Sequence, residues 1–370
     1  MPQQLLTLGF TAPEIVDKAW TVRWESAPAD AEEMVRQTVP ATVEFQTSGS
    51  TGEQQRWQRY RENVWLEAGL LADLVRPERP QAVVSFVPPA HLYGALATVF
   101  VPAQLGVRVW YRPTFFGTLP ALAGRRVVVA ATPWIFRLLL EHLPWVRSLE
   151  HLTVLHSSAM LPATAGEFLA AAGPDRALVV DVMGSTEAGG VALRRWRDGA
   201  EPPPWTLFPD VSFAGGEVAV DEDGEVPLVV RSPRLAFRPG GIPPAVWATD
   251  DHVAPVDDRS FSFAGRRNRL VKVNGRRFNL DALEHQLRGV LDCPDLALVP
   301  VADRMIGEHV DLLLELAPGG RLADVDLAAA YARIGLRPRR VHVVPRIDRS
   351  ETGKLRHVQT SMPTEVEVAS

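Results

Sequence analysis

The sequence predicts an α/β protein: a large N-terminal domain on a mainly parallel sheet with a β-rich subdomain, then a small α+β domain at the C-terminus. Three observations predict it. Between residues 82 and 181, continuous apolar runs alternate with helical patterns, as strands do when helices cover both faces of a parallel sheet. After Thr186 the chain is richer in Gly and Pro, with short segments such as Gly216-Glu217-Val218-Ala219-Val220 and Pro227-Leu228-Val229-Val230 that read as antiparallel strands. From about residue 267 a second set of strands and helices begins.

Taken in order, the mixed-charge stretch 30–37 reads as a short helix. A longer helix is expected over 59–75, with Trp65, Leu66, Leu70 and Leu74 near helical spacing. Ala82-Val83-Val84-Ser85-Phe86-Val87 leads to a helical stretch over 91–105, Val107-Arg108-Val109-Trp110 is a short strand, and Arg126-Val127-Val128-Val129-Ala130-Ala131 is a buried one. Pro133 suits the first turn of a helix running toward His142. Leu152-Thr153-Val154-Leu155, a helix over 162–172 and Ala177-Leu178-Val179-Val180-Asp181 complete the series. The C-terminal unit is read as strands near 261–264, 269–273, 297–301 and 310–316, with helices over 280–290 and 322–334, the first capped by Asn279. In folds of this kind, ligands bind in loops beyond the carboxyl ends of the strands.

At 370 residues the chain is long enough for two domains, and 46% hydrophobic with 22% charged residues is an ordinary globular composition. A net charge of -5 offers no general attraction to nucleic acid or anionic membrane. The single cysteine, Cys293, excludes an internal disulfide and a multi-cysteine metal site. Residues 1–10 lack the pattern of a signal peptide, and no run of about 18 uncharged apolar residues occurs, so a cytoplasmic enzyme or binding protein is expected. Only three of the 39 basic residues are lysines: Lys18, Lys272 and Lys354.

The densest chemical signal is Thr47-Ser48-Gly49-Ser50-Thr51-Gly52, directly after the apolar run Ala41-Thr42-Val43-Glu44-Phe45. Glycines let the backbone turn tightly against a ligand, and hydroxyls add donors to the backbone N–H groups, which together can cradle phosphate. A solvated turn has the same composition, so the loop needs partners. Four further motifs follow in order: Met183-Gly184-Ser185-Thr186-Glu187; Thr249-Asp250-Asp251; Gly265-Arg266-Arg267-Asn268-Arg269-Leu270-Val271-Lys272-Val273-Asn274-Gly275, with Glu284 beyond; and Ser350-Glu351-Thr352-Gly353-Lys354-Leu355-Arg356. A carboxylate near a triphosphate loop can hold the metal that neutralises it, and Asp can accept two hydrogen bonds from vicinal hydroxyls. A lysine on a mobile loop supplies positive charge where a carboxylate and a phosphate would repel.

Together the five motifs resemble those of the adenylate-forming superfamily, which includes acyl- and aryl-CoA ligases, peptide-synthetase adenylation domains and luciferases. The resemblance implies ATP, Mg2+ and a thiol acceptor, CoA or phosphopantetheine, as cofactors and co-substrates. It implies that Thr47–Gly52 and Arg56 meet the ATP phosphates, and that Met183, Gly184 and Ser185 lie against the nucleotide. Thr186 and Glu187 would serve phosphate and metal, and Asp251, chosen over Asp250 by its distance from Gly265-Arg266, would hold the ribose. Arg266, also expected at the nucleotide, and Asn268 mark a hinge at 266–268 between a domain of residues 1–265 and a mobile lid of residues 269–370. Lys272 and Gly275 would line the thiol channel, and Lys354 would be the catalytic lysine. The acid is expected against His91, Tyr93, Gly94, Ser157 and Ser158, with a hydrogen-bonded core histidine as the alternative reading of His91.

Departures are visible too. Gln55, followed by Arg56, stands where relatives usually carry lysine, Met183 stands for an aromatic residue, and Asn268 for the hinge aspartate. Only 46 residues precede Thr47, so the chain resembles a shortened member, with part of the acid pocket simplified or supplied by a homodimer partner or another subunit. No acidic residue occurs between Pro80 and Gly124, where amino-acid-activating relatives hold the substrate ammonium, so an amino acid is disfavoured. The expected substrate is a small aromatic or short unsaturated carboxylic acid, as in ligases of aryl polyene or polyketide-type pathways. The acceptor is CoA or an acyl carrier protein. The alternative is a non-catalytic relative that binds nucleotide or an acyl carrier.

Overall fold

The computed structural model describes residues 2–48, 54–115, 117–157, 160–197, 201–214, 224–266, 269–273, 276–303, 307–349 and 355. Twelve strands among them form one sheet. Its parallel half runs, in spatial order, Arg108–Tyr111, Ala82–Ser85, Arg126–Ala131, His151–Ser157 and Ala177–Ser185. These strands read as unbroken apolar runs because alternate residues enter different cores. Val83, Val128, Leu178 and Val180 pack on the face covered by helix Arg61–Val75 and the helical stretch after His91. Val84, Val127, Val129 and Val179 pack on the face covered by Ile135–Glu141 and Ala163–Ala172. Burying both faces leaves no polar side to show as alternation.

The β-rich part continues the same sheet. Ala177–Ser185 is parallel to His151–Ser157 on one side and antiparallel to Gly189–Trp196 on the other. Trp205–Leu207, Ser260–Arg266, Trp247–Pro255, Val226–Arg231 and Ser212–Phe213 then extend it. Strand 261–264, expected in the C-terminal unit, thus belongs to the large sheet, where Phe261 pairs with Trp205 and is fully buried. Alternation identifies a strand but not its neighbour. At the opposite edge Trp20–Arg23 lies antiparallel to Arg108–Tyr111.

A second correction concerns residues 54–60. They were expected as loop and helix start, but Gln54–Tyr60 pairs with Thr42–Ser48 as an antiparallel hairpin, and the helix begins at Arg61. Only Trp57 among the inward residues is apolar, while the other inward residue, Arg59, is fully buried. That charge hides the alternation that announces a strand. The helix expected over 91–105 forms as Leu92–Gly94, a wider π turn at Ala95–Phe100, and Val101–Leu105.

Beyond Arg266, hairpin Leu270–Val273 with Arg276–Asn279 and a sheet of Asp295–Asp303, Gly307–Glu315 and Val341–Val344 surround a core that includes Leu280, Leu287, Leu296, Leu312 and Val341. Asn279 caps helix Leu280–Arg288 as expected, accepting from the Asp281 and Ala282 N–H groups at 3.0 and 3.2 Å. Its amide also donates to the Ala264 carbonyl at 2.6 Å, tying this unit to the last residues of the large sheet. No helix among the described residues is long and apolar enough to cross a membrane.

Candidate active site

The Thr186-Glu187 pair lies in the turn between strands Ala177–Ser185 and Gly189–Trp196. Its shape explains the glycines around it. A register shift occurs between Met183 and Gly184, where a Cβ on Gly184 would stand 2.3 Å from the Gly189 carbonyl oxygen. Gly189 closes the turn at φ +73, a conformation that disfavours any side chain. Ser185 Oγ accepts from the Ala188 N–H at 3.1 Å, which stiffens the turn, and Met183 is half-buried beside the first core. Thr186 and Glu187 are left half-exposed at the end of the strand.

Beneath this turn lies a buried charge cluster. Glu67 on helix Arg61–Val75 receives Arg59 Nη2 at 2.7 Å and the Gly190 N–H at 2.7 Å, with Arg234 Nη1 at 3.1 Å. Arg234 donates to the Gly190 carbonyl at 2.8 Å and grips Asp210 through Nε and Nη2 at 2.6 and 2.9 Å. Arg59 and Arg234 are 0% exposed and Glu67 is 2%. Burial pushes the Glu67 carboxyl up, but Arg59, Arg234 and the Gly190 N–H outweigh it and hold the pKa below the ordinary carboxylate range. Both peptide groups of Gly190 are therefore held by charged partners one residue beyond the turn.

Three consecutive residues join this turn to the hairpin. Ala236 N donates to the Glu187 carbonyl at 2.8 Å, Phe237 exchanges backbone bonds of 2.8 and 2.9 Å with Gln58, and Arg238 Nη2 donates to Gln55 Oε1 at 2.7 Å. Thr47 faces Gln55 and Ser48 faces Gln54 across the hairpin, while Gly49, Ser50, Thr51 and Gly52 lie outside the described residues. Arg56, expected at the phosphates, is 64% exposed on this hairpin and lies 3.6 Å from Glu44 on the adjacent strand. Trp57 on the same hairpin meets Trp247 edge-on at 5.4 Å, at the start of the strand that carries Asp251.

Asp251 is the half-buried member of its pair and Asp250 the exposed one. Thr249 Oγ1 accepts from the Asp251 N–H at 3.1 Å, and Arg266, directly opposite in the register, brings Nε to 3.8 Å from the Asp251 carboxylate. Asn268, Gly275 and Lys354 lie outside the described residues, and of Lys272 only the backbone is described, paired with Arg277.

On the expected acid side, hydroxyls already have backbone acceptors. Tyr93 donates to the Leu155 carbonyl at 2.5 Å, and burial pushes its pKa far above the ordinary phenol value. Ser157 Oγ donates to the Val182 carbonyl at 2.8 Å. Gly94 is required by packing, since a Cβ there would sit 1.8 Å from the Pro88 carbonyl oxygen. His91 is half-buried at the start of its helix, and Ser158 is outside the described residues. Two clefts of about 450 and 350 Å3 lie elsewhere, lined by residues such as Leu119 and Trp145, and Trp20 and Trp110. Neither contains an expected site residue, and chemistry points to the strand ends in preference to either cleft.

The sequence profile described as AMP-binding enzyme matches residues 9–236, well over half of the chain. The chain belongs to this adenylate-forming family. It is 23% identical over 326 residues to a 4-coumarate–CoA ligase of Cereibacter sphaeroides, covering 85% of this chain and 70% of that protein. A medium/long-chain-fatty-acid–CoA ligase of Mycobacterium tuberculosis is 31% identical over 172 residues, covering 42% of this chain and only 32% of that protein. The o-succinylbenzoate CoA synthetase of Bacillus subtilis, solved with its acyl-adenylate intermediate, superposes with a TM-score of 0.66 at 16% identity, covering 88% of this chain and 70% of that one.

The AMP-binding family match contains the hairpin and the Thr186-Glu187 turn but stops before Asp251. Glu187 offers a hard carboxylate oxygen of the kind Mg2+ takes together with triphosphate oxygens. Among the described residues no group of three His, Cys, Asp or Glu side chains converges as a self-sufficient metal site. A single half-exposed carboxylate of this kind fits an ion shared with a nucleotide. The sequence reading missed Arg59, Glu67, Asp210 and Arg234. One signal was available: Glu67 shares the buried face of its helix with Val64, Ala68 and Leu71, and a charge on an apolar face requires a partner.

Proposed function

We propose that the protein adenylates a carboxylic acid with ATP and passes the acyl group to a thiol of CoA or of phosphopantetheine on an acyl carrier protein. The observation that carries this is the link through Ala236, Phe237 and Arg238, which ties the Glu187 turn to the hairpin bearing Thr47 and Ser48. A carboxylate oxygen attacks the α-phosphorus, the bond to the leaving oxygen breaks, and acyl-AMP and pyrophosphate form. The thiol sulfur then attacks the acyl carbon, AMP leaves, and the thiol proton passes to solvent. Mg2+ neutralises phosphate charge when bound, with Glu187 as its protein ligand. Thr186 lies beside it at the phosphates, and Asp251 receives the ribose hydroxyls, steadied by Arg266 and by Thr249. Lys354 stabilises charge on the attacking carboxylate and the α-phosphate.

Residues 1–265 form the nucleotide- and acid-binding domain, and residues 269–370 the lid that turns about 266–268 between the half-reactions. Lys272 and Gly275 then line the thiol's approach. The acid is small and aromatic or short and unsaturated, a class supported by the absence of acidic residues between Pro80 and Gly124 and by the coumarate and succinylbenzoate activities named for two relatives. ATP–pyrophosphate exchange over a panel of acids tests it: signal with aromatic acids is expected, and signal with amino acids alone overturns it. One observation favours a non-catalytic relative, namely that the Tyr93 and Ser157 hydroxyls are already bonded to backbone carbonyls. Nucleotide binding without pyrophosphate release for any acid would decide for it.

A further inference from the structure

Given the adenylation activity proposed above, we propose that Arg238 is the cation that meets the outer phosphates of the nucleotide at the mouth of the hairpin. The hairpin itself has little positive charge to offer there. Arg56 stands 3.6 Å from Glu44, which offsets part of its charge, and Gln54 and Gln55 are neutral. Arg238 reaches the same place from another part of the chain. Its guanidinium lies 3.9 Å from the centre of the Trp57 ring, donates to Gln55 Oε1 at 2.7 Å and approaches the Arg56 carbonyl at 3.5 Å. Among the described residues these three partners are all neutral, and Arg238 is exposed next to Gln55, the residue opposite Thr47 in the register.

The placement is rigid where it needs to be. Trp57 is 5% exposed and braced by Trp247, so the ring beneath the guanidinium does not wander. Phe237 is paired with Gln58 in both directions, and Ala236 is bonded to Glu187, which fixes the backbone on either side of the link. A stacked guanidinium keeps its in-plane N–H groups for a second ligand, and its fork matches two oxygens of a phosphate. Arg238 thus carries positive charge on the stretch that joins the Glu187 turn to the hairpin, where a triphosphate needs it.

The test uses the full chain and its binding of ATP and AMP, measured by calorimetry with Mg2+ present. Arg238→Met keeps a stem over Trp57 and removes the charge. It should weaken ATP roughly 10- to 100-fold, the range of a lost charge-assisted contact, while AMP changes less than about twofold. Adding Gln55→Lys to that variant should recover about tenfold of the ATP loss by placing a cation at the same mouth. Equal weakening of ATP and AMP, or none for either, overturns the role of Arg238. Failure of the unaltered protein to bind either nucleotide is a different result and overturns the adenylation activity itself. Should Arg238→Met unfold, as circular dichroism would show, Arg238→Lys is measured instead. Retained ATP affinity within about threefold is then expected, and an equal loss for both nucleotides overturns the role.

Discussion

Glu67→Gln probes the charge cluster under the Thr186-Glu187 turn with the smallest possible change of shape. The carboxylate is 2% exposed and touches two guanidinium groups that are 0% exposed, so solvent cannot replace what it supplies. Removing one partner of a buried ion pair costs about 3–5 kcal/mol, because the remaining charge stays buried without compensation. Here Asp210 still serves Arg234 and the glutamine oxygen can still accept, but Arg59 loses its carboxylate partner among the described residues, so the lower half of that range, about 3 kcal/mol, is expected. Against a total stability of roughly 5–15 kcal/mol this is a large fraction and is readable by urea unfolding.

The pH dependence carries a sign. The Glu67 pKa is lowered on folding, so its contribution is fully present above the unfolded value of about 4.3 and is lost as pH falls through the folded value. The stability gap between the unaltered protein and Glu67→Gln should be constant from neutral pH down to about 5 and narrow in more acidic solution. Replacing Arg59, Glu67 and Arg234 together with apolar residues of similar size should restore part of the loss, since the desolvation cost disappears with the charges. A Glu67→Gln protein within about 0.5 kcal/mol of the original at neutral pH would refute the structural role of the cluster.

Other changes read neighbouring features. Gly189→Ala puts a Cβ into a left-handed position 2.6 Å from Glu67 Oε2 and 2.7 Å from Arg59 Nη2, so a loss of about 2–4 kcal/mol in thermal or urea unfolding is expected, and a neutral outcome would show that the turn relaxes freely. Asp251→Ala should weaken ATP more than 2′-deoxy-ATP and bring their affinities together; a parallel loss for both would remove Asp251 from the ribose.

The parallel strands, the helices over them and the cap at Asn279 were legible because local rules and burial agree there. The continuous runs from Val127 to Ala131 and from Ala177 to Val180 admit few alternatives once both faces are apolar. Gln54–Tyr60 was not legible, since its inward Arg59 is satisfied by Glu67 on the next helix and by the Arg234 carbonyl 175 residues away. The contact of Arg56 with Glu44 was not legible for a related reason: Glu44 lies two positions along the neighbouring strand from the residue opposite Arg56. Sequence order says nothing of which charges a hairpin brings face to face.

By itself the sequence determined the family, through five short motifs whose order and residue chemistry survive without any knowledge of packing. It also determined the fold class, because the period of burial is written into each strand and helix. Only the tertiary structure decided that the β-rich part extends the parallel sheet, that a buried cluster of Arg59, Glu67, Arg234 and Asp210 lies under the Glu187 turn, and that Arg238 reaches Gln55. The reason is physical. Motifs and periodicity are local properties of the chain, whereas the compensation of a buried charge and the placing of an exposed one depend on residues that only folding makes neighbours.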